Sequence, residues 1–183
     1  VAVVYSIIIG LFVYKELNFQ SLKKAFYQSA VLNGVIVFII GFSGAMAKFL
    51  TLENVPQKVS DAILSFTHSP FLILLIINIF LIVVGMLIDN IPAIIILSPI
   101  FLPVVQNVGV SPLQFGVIIV LNLAIGYVTP PYGTTLFVAS AISKISIDRL
   151  ARYAIIFTLV LCIPLALVTY APWFTDGFVS LFK

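Results

Sequence analysis

Asp89 is the only Asp, Glu, Lys or Arg between Asp61 and Lys144. The sequence around it, Ile88-Asp89-Asn90-Ile91-Pro92, is polar punctuation between two apolar runs. A second polar cluster follows, Gly126-Tyr127-Val128-Thr129-Pro130-Pro131-Tyr132-Gly133-Thr134-Thr135, with Asn122 one helical turn before Gly126. The chemistry open to these two clusters is that of hard oxygen ligands. A carboxylate, threonine hydroxyls, an asparagine amide and backbone carbonyls released from a helix suit a small cation such as Na⁺. The N-terminus of a helix restarting after the prolines has unpaired N–H groups that can face an anion.

Each cluster also has a plainer reading. Asp89 or Asn90 could cap a helix beginning near Ala93, and Pro130-Pro131 could be a kink that only shapes packing. A cap would be served as well by an uncharged Ser or Asn. A carboxylate at membrane depth is costly unless it is paired, hydrated or on an ion, and no Lys or Arg of this chain lies near Asp89 in sequence. Pro130 and Pro131 come with Gly126, Gly133, Thr129, Thr134 and Thr135, a combination richer in oxygen than a packing kink requires. The reading favours Asp89 and Thr129 as cation ligands, completed by carbonyls near Gly126 and Gly133. Asn90, Asn122, Thr134 and Thr135 would position ion or substrate beside Pro130 and Pro131.

The elements that must hold these residues are read from composition and charge spacing. Hydrophobic residues make up 62% of the 183 and charged residues 8%, against about a quarter charged in soluble domains. Soluble enzymes, nucleic-acid binders and disordered linkers are excluded. The nine basic and six acidic residues leave uncharged runs at 1–14, 25–47, 62–88, 90–143 and 153–175. A crossing helix needs about 20 apolar residues, and the alternation of barrel strands is absent. The class is an all-α polytopic membrane protein.

Basic residues assign the sides. Lys15, Lys23, Lys24, Lys144, Arg149 and Arg152 outnumber Lys48, Lys58 and Lys183, so the first two clusters are cytoplasmic by the positive-inside rule. The spans at 25–50 and 153–175 then cross outward and the C-terminus is periplasmic. Residues 1–14 read as the end of a transmembrane helix, and the chain, opening at Val1 in mid-pattern, as a piece of a larger protein. Residues 54–66 form an amphipathic helix at the outer interface, and 146–152 a short capped helix at the inner one. Tyr170 and Trp173 sit where interfacial aromatics belong.

Residues 70–108 are expected to form a re-entrant hairpin with its tip at 89–92. The returning arm, 93–105, would be roughly 20 Å long at 1.5 Å per residue, too short to cross. Two full crossings would satisfy the same charge parity. Residues 113–142 form a broken transmembrane helix, interrupted at 126–135, because each proline forces its predecessor out of helical conformation. A hairpin tip and a broken helix meeting at mid-membrane are the parts with which secondary transporters hold substrate and coupling ion.

Other chemistry finds little support. Cys162 is alone, so neither a disulfide framework nor a cysteine metal cluster forms within the chain. His68, in a Thr-His-Ser-Pro turn, is a loop residue outside the membrane. Aspartyl proteolysis needs paired carboxylates, and no second one accompanies Asp89. The remaining alternative is a permease or scaffold subunit energised by a partner ATPase.

The strings Gly85-Met86-Leu87-Ile88-Asp89, Leu97-Ser98-Pro99-Ile100-Phe101-Leu102-Pro103, Phe115-Gly116-Val117-Ile118 and Asn122-Leu123-Ala124-Ile125-Gly126-Tyr127-Val128-Thr129-Pro130-Pro131-Tyr132-Gly133 resemble the large membrane subunit of tripartite ATP-independent periplasmic (TRAP) transporters. The resemblance runs from Tyr14-Lys15-Glu16-Leu17 to the final span and fits that subunit's C-terminal half. It implies that 70–108 and 113–142 are the hairpin and broken helix of the second of two inverted repeats, in an elevator-type transporter. It further implies Na⁺-driven import of a carboxylate, such as a C4-dicarboxylate or sialic acid, and no organic cofactor. The implied partners are a periplasmic substrate-binding protein, a small four-helix membrane subunit, the N-terminal half of the same subunit and the lipid bilayer.

Overall fold

A computed structural model of the chain describes residues 2–14, 17–130, 133–171, 173–175 and 177, and its regular structure there is entirely helical. The chain divides into two compact units within one long helix, Val1–Gly41 and Phe42–Lys183.

In the first unit, helix α1 (Ala2–Ile8) passes into a π-helical turn at Ile9–Val13, and helix α2 (Phe19–Leu52) follows. Asn18 starts α2 in the manner of an N-cap, its Oδ1 accepting from the Ser21 N–H at 2.7 Å. With 34 residues, α2 is about 51 Å long at 1.5 Å per residue, longer at both ends than the span expected at 25–50. Its buried residues are Ser43 and Ala47. From Val35 to Phe42 its exposed surface is apolar, and only lipid or another apolar protein surface can cover that stretch without cost.

The second unit holds the end of α2 and six further helices: α3 (Val55–Phe66), α4 (Pro70–Leu87), α5 (Asn90–Asn107), α6 (Pro112–Val128), α7 (Thr134–Ser143) and α8 (Ile147–Tyr170). Pro56, Pro70 and Pro112 stand in the first turns of their helices, where a missing N–H has no partner to lose. Asn54 turns the corner into α3 with φ 54°, a left-handed conformation that asparagine tolerates better than most residues. α3 is amphipathic: Val59, Ile63 and Leu64 pack on the core, while Lys58 and Asp61 are exposed.

The core is made by α4, α5 and α6. Ile73, Ile77, Leu81, Val104, Val105, Ile118, Ile119 and Leu123 are its fully buried large side chains. α4 and α6 run in the same sense, because the pairings advance together along both helices. Asn78 meets Asn122, and Ile82 and Gly85 meet Gly126. α8 runs the opposite way to α6, with Thr169 at the Gln114 end and Thr158 at the Thr129 end. Among the described residues α2, α4, α5 and α8 are long and apolar enough to cross a membrane, and α6 is a shorter apolar helix.

Three expectations are revised. The arm after Asp89 is not the short 93–105 segment but Asn90–Asn107, 18 residues, about 27 Å long. Pro92 falls in its first turn, where proline is harmless, and the helix continues through Pro99 and Pro103. The arm's shortness therefore no longer argues for re-entry. The capped helix expected at 146–152 is no separate element but the first turns of α8. The interruption expected at 126–135 narrows to 129–133. Lys15, Glu16, Pro131, Tyr132 and Lys183, on which some expectations fall, lie outside the described residues.

Candidate ion and substrate site

Two helix ends meet at one crossing. Ala-sized side chains are excluded there: a Cβ on Gly126 would fall on the Ile82 carbonyl oxygen and 2.7 Å from the Gly85 Cα. One on Gly85 would lie 2.8 Å from the Leu123 Cα and carbonyl oxygen. These are backbone atoms that cannot swing aside, so glycine is what lets α4 and α6 touch. Beyond this crossing both helices stop within a turn, α4 at Leu87 and α6 at Val128. The packing thus brings the Ile88-Asp89 turn and the Thr129–Gly133 break to the same end of the α4–α6 pair.

At the first stop, Asp89 is exposed and starts α5 as its N-cap. Its Oδ1 accepts from the Asn90 N–H at 2.7 Å, and its carbonyl accepts from the Ala93 N–H at 3.2 Å. The capping role is therefore real, and the carboxylate retains lone pairs beyond that one bond. Asn90 is half-buried, and its Oδ1 is a buried acceptor with no hydrogen-bond partner.

At the second stop, the Thr129 N–H donates to the Gly126 carbonyl at 3.0 Å. This leaves the Ile125 carbonyl to the Thr129 hydroxyl, which donates to it across 2.6 Å. The same Oγ1 lies 3.0 Å from the Thr158 Oγ1 on α8. Gly133 precedes α7 with φ 10° and ψ 89°, and a Cβ there would come within 2.9 Å of the Thr129 carbonyl oxygen. Thr135 Oγ1 donates to the Tyr127 carbonyl at 2.6 Å. In an unbroken helix that carbonyl would accept from residue 131, which is proline and has no N–H.

The predicted site residues thus divide. Thr129, Gly133 and Thr135 line or bridge the break, Pro130 is half-buried in it, and Asp89 and Asn90 form the turn at the same end of the α4–α6 pair. Gly126 does not supply a freed carbonyl, because it lies inside α6 and its oxygen takes the Thr129 N–H. What matters there is its missing side chain. Pro131 and the side chain of Thr134 are outside the described set. Asn122 is set back in the core at 0% exposure. Its Nδ2 donates to Asn78 Oδ1 at 2.7 Å and to the Ile118 carbonyl at 2.8 Å, while its Oδ1 has no partner.

Sequence reading did not single out Asn78, Gln114, Thr158 or Thr169. Asn78 Nδ2 donates to Thr169 Oγ1 at 3.2 Å, extending the buried chain from α6 through α4 to α8. Gln114 Nε2 donates to the Val168 and Thr169 carbonyls at 2.9 and 3.1 Å. The signal available was the presence of lone polar side chains in apolar helices. In such segments a polar group needs a partner within the bundle.

A donor set of neutral oxygens and one carboxylate fits a hard monovalent cation. Buried polar groups without partners are rare enough that each calls for an explanation. Among the described residues the two buried side-chain atoms of this kind are Asn90 Oδ1 and Asn122 Oδ1, both oxygen acceptors, the second set back in the core. No three His, Cys, Asp or Glu side chains gather among the described residues.

Comparison with known proteins defines the class. The family model for the tripartite ATP-independent periplasmic transporter, DctM component, matches residues 1–174. The chain belongs to this family, whose members are transport permease subunits and not enzymes, and it is a multi-pass protein of the bacterial inner membrane. It is 37% identical over 171 residues to the isethionate TRAP transporter permease protein DctMQ of Oleidesulfovibrio alaskensis, covering 93% of the chain and 27% of the relative. It is 36% identical over 172 residues to the C4-dicarboxylate TRAP transporter large permease protein DctM of Pseudomonas aeruginosa, covering 94% and 40%. It is 31% identical over 172 residues to the 2,3-diketo-L-gulonate TRAP transporter large permease protein YiaN of Escherichia coli, again covering 94% and 40%. The chain spans no more than two-fifths of the length of these relatives.

Proposed function

We propose that this chain is the part of a TRAP large membrane subunit that binds coupling Na⁺ and helps to carry an organic anion, a carboxylate first of all, into the cell. The observation that carries the reading is the meeting of two interrupted helices at the Gly85–Gly126 crossing. One presents a carboxylate and a partnerless buried amide oxygen, the other a hydroxyl and a glycine-lined break. Na⁺ would be held by Asp89 and Thr129, with Asn90 and the carbonyls about Gly133 beside them. The anion would face the N-terminal turn of α7, where helix N–H groups point outward.

The relatives named for C4-dicarboxylate and diketogulonate support a carboxylate, and isethionate, a sulfonate, widens the class to organic anions. A periplasmic binding protein would deliver the substrate and a small four-helix membrane subunit would pack alongside. The DctMQ relative, of which the chain covers only 27%, supports the second partner as a fused segment. In this reading α4 and α5 are a re-entrant hairpin that moves, elevator-fashion, with the broken helix, and the C-terminus is periplasmic.

The test is uptake of labelled organic acids into proteoliposomes holding the complete transporter and its binding protein, with an imposed inward Na⁺ gradient and no ATP. Na⁺-driven uptake that Asp89→Asn abolishes is expected. Uptake that needs ATP, or Na⁺ dependence unchanged in Asp89→Asn, rejects the assignment.

A further inference from the structure

Among the described residues Thr129 is the one hydroxyl of the proposed Na⁺ site that is both buried and tied to another helix. Its single hydrogen is committed, since Thr129 Oγ1 donates to the Ile125 carbonyl at 2.6 Å. The hydroxyl 3.0 Å away on Thr158 must then be the donor of the pair. Thr158 is the only hydroxyl-bearing residue from Ala154 to Val168 on α8. It is half-buried between Phe157 and Leu159, which are both exposed. A threonine on such a helix ordinarily turns its hydroxyl back to the carbonyl four residues earlier. Here it reaches across to the break.

The proton count has a consequence. A hydroxyl oxygen has one hydrogen and two lone pairs. With its hydrogen on Ile125 and one lone pair accepting from Thr158, Thr129 Oγ1 keeps a single lone pair in a fixed direction. Without Thr158, rotation about χ1 of Thr129 loses one of its two restraints.

We infer that Thr158 is a positioning residue of the Na⁺ site, aiming the Thr129 oxygen from the last helix. The inference rests on the reading of Thr129 as a Na⁺ ligand. It makes α8 a part of the ion site as well as of the scaffold around it, and it predicts that Na⁺ affinity responds to a residue that does not touch the ion.

The test is the Na⁺ dependence of thermal unfolding of the complete purified subunit in nanodiscs, with choline replacing Na⁺. This needs no transported substrate. Thr158→Val should raise the half-stabilising Na⁺ concentration about five- to tenfold, the factor that one hydrogen bond makes. Thr158→Ser, which keeps the donor, should stay near the parent value. A lower melting point in choline alone would report packing and does not enter the comparison. Should Thr158→Val fail to fold, Thr158→Ala reads the same quantity. An unchanged Na⁺ response in Thr158→Val beside an abolished one in Thr129→Val overturns the positioning role and leaves the Na⁺ site standing. A response lowered equally in Thr158→Ser and Thr158→Val also overturns it. If Thr129→Val and Asp89→Asn both respond to Na⁺ like the parent, the Na⁺ site itself falls.

Discussion

Gly126 and Gly85 bring α4 and α6 together so closely that a methyl group on either would enter the other helix's backbone. Such contacts are where membrane helices gain most from small residues, since van der Waals packing replaces the hydrophobic drive they lack in lipid. Here the contact also sets where the chain may break, because both helices end within a turn of it.

Gly126→Ala should therefore destabilise the subunit by about 1–3 kcal/mol, the usual cost of overpacking. Thermal unfolding in detergent would show a lowered midpoint. Gly116→Ala, at a position with nothing within 4 Å of the added carbon, should unfold like the parent. Equal behaviour of the two variants would remove the crossing from the account.

The Asp89 carboxylate has two separable duties. Asp89→Ser keeps a capping oxygen for α5 and should cost only a few tenths of a kcal/mol, whereas Asp89→Ala should cost about 1 kcal/mol. Both should lose the Na⁺-dependent rise in melting temperature. A serine variant that still responds to Na⁺ would leave Asp89 as a cap and nothing more.

The Asn78–Asn122 pair is open to a double-mutant cycle. Replacing either by Leu strands a buried acceptor or donor, and the coupling energy should fall near 0.6 kcal/mol and below ~1.7 kcal/mol, the range for interhelical bonds in membranes. Additive losses would mean that the 2.7 Å contact contributes nothing of its own.

Thr135→Val removes the donor that serves the Tyr127 carbonyl across the break. Hydrogen exchange in α7 should quicken, with a local cost of about 1 kcal/mol, and Thr135→Ser should restore protection. Exchange as slow in the valine variant as in the parent would show that α7 is held by its packing on α6 and α8 without this bond.

The positions of the interruptions were readable because their causes are local. Asp89 is an isolated charge and Pro130-Pro131 a missing pair of donors, and neither signal needs a partner to be seen. The length of α5 is hidden in the sequence because Pro92 looks like a boundary, although in a first turn it removes only an N–H without a partner. In sequence Gly126 offers a carbonyl, yet what it contributes is the absence of Cβ, a property visible only when Ile82 and Gly85 stand opposite. Asn78, Gln114, Thr158 and Thr169 each look like a stray polar residue in an apolar helix. What gives them meaning is their pairing across α4, α6 and α8, and no sequence pattern states which helix lies beside which. Asp89 and Thr129 stand out in the sequence for their oxygens alone, and the nearness of their helix ends is a property of the fold.

Gln114 and Thr135 share a habit. Each lends a side-chain hydrogen to a carbonyl whose customary donor would have been a proline nitrogen: Val168 before Pro172, and Tyr127 before Pro131. A main-chain donor can be withdrawn only by unwinding the helix. A borrowed one is withdrawn by turning a single side-chain bond, and the helix survives. At both places the bond hangs on the rotamer of one side chain and not on the helix ladder, so its loss leaves the ladder bonds on either side in place.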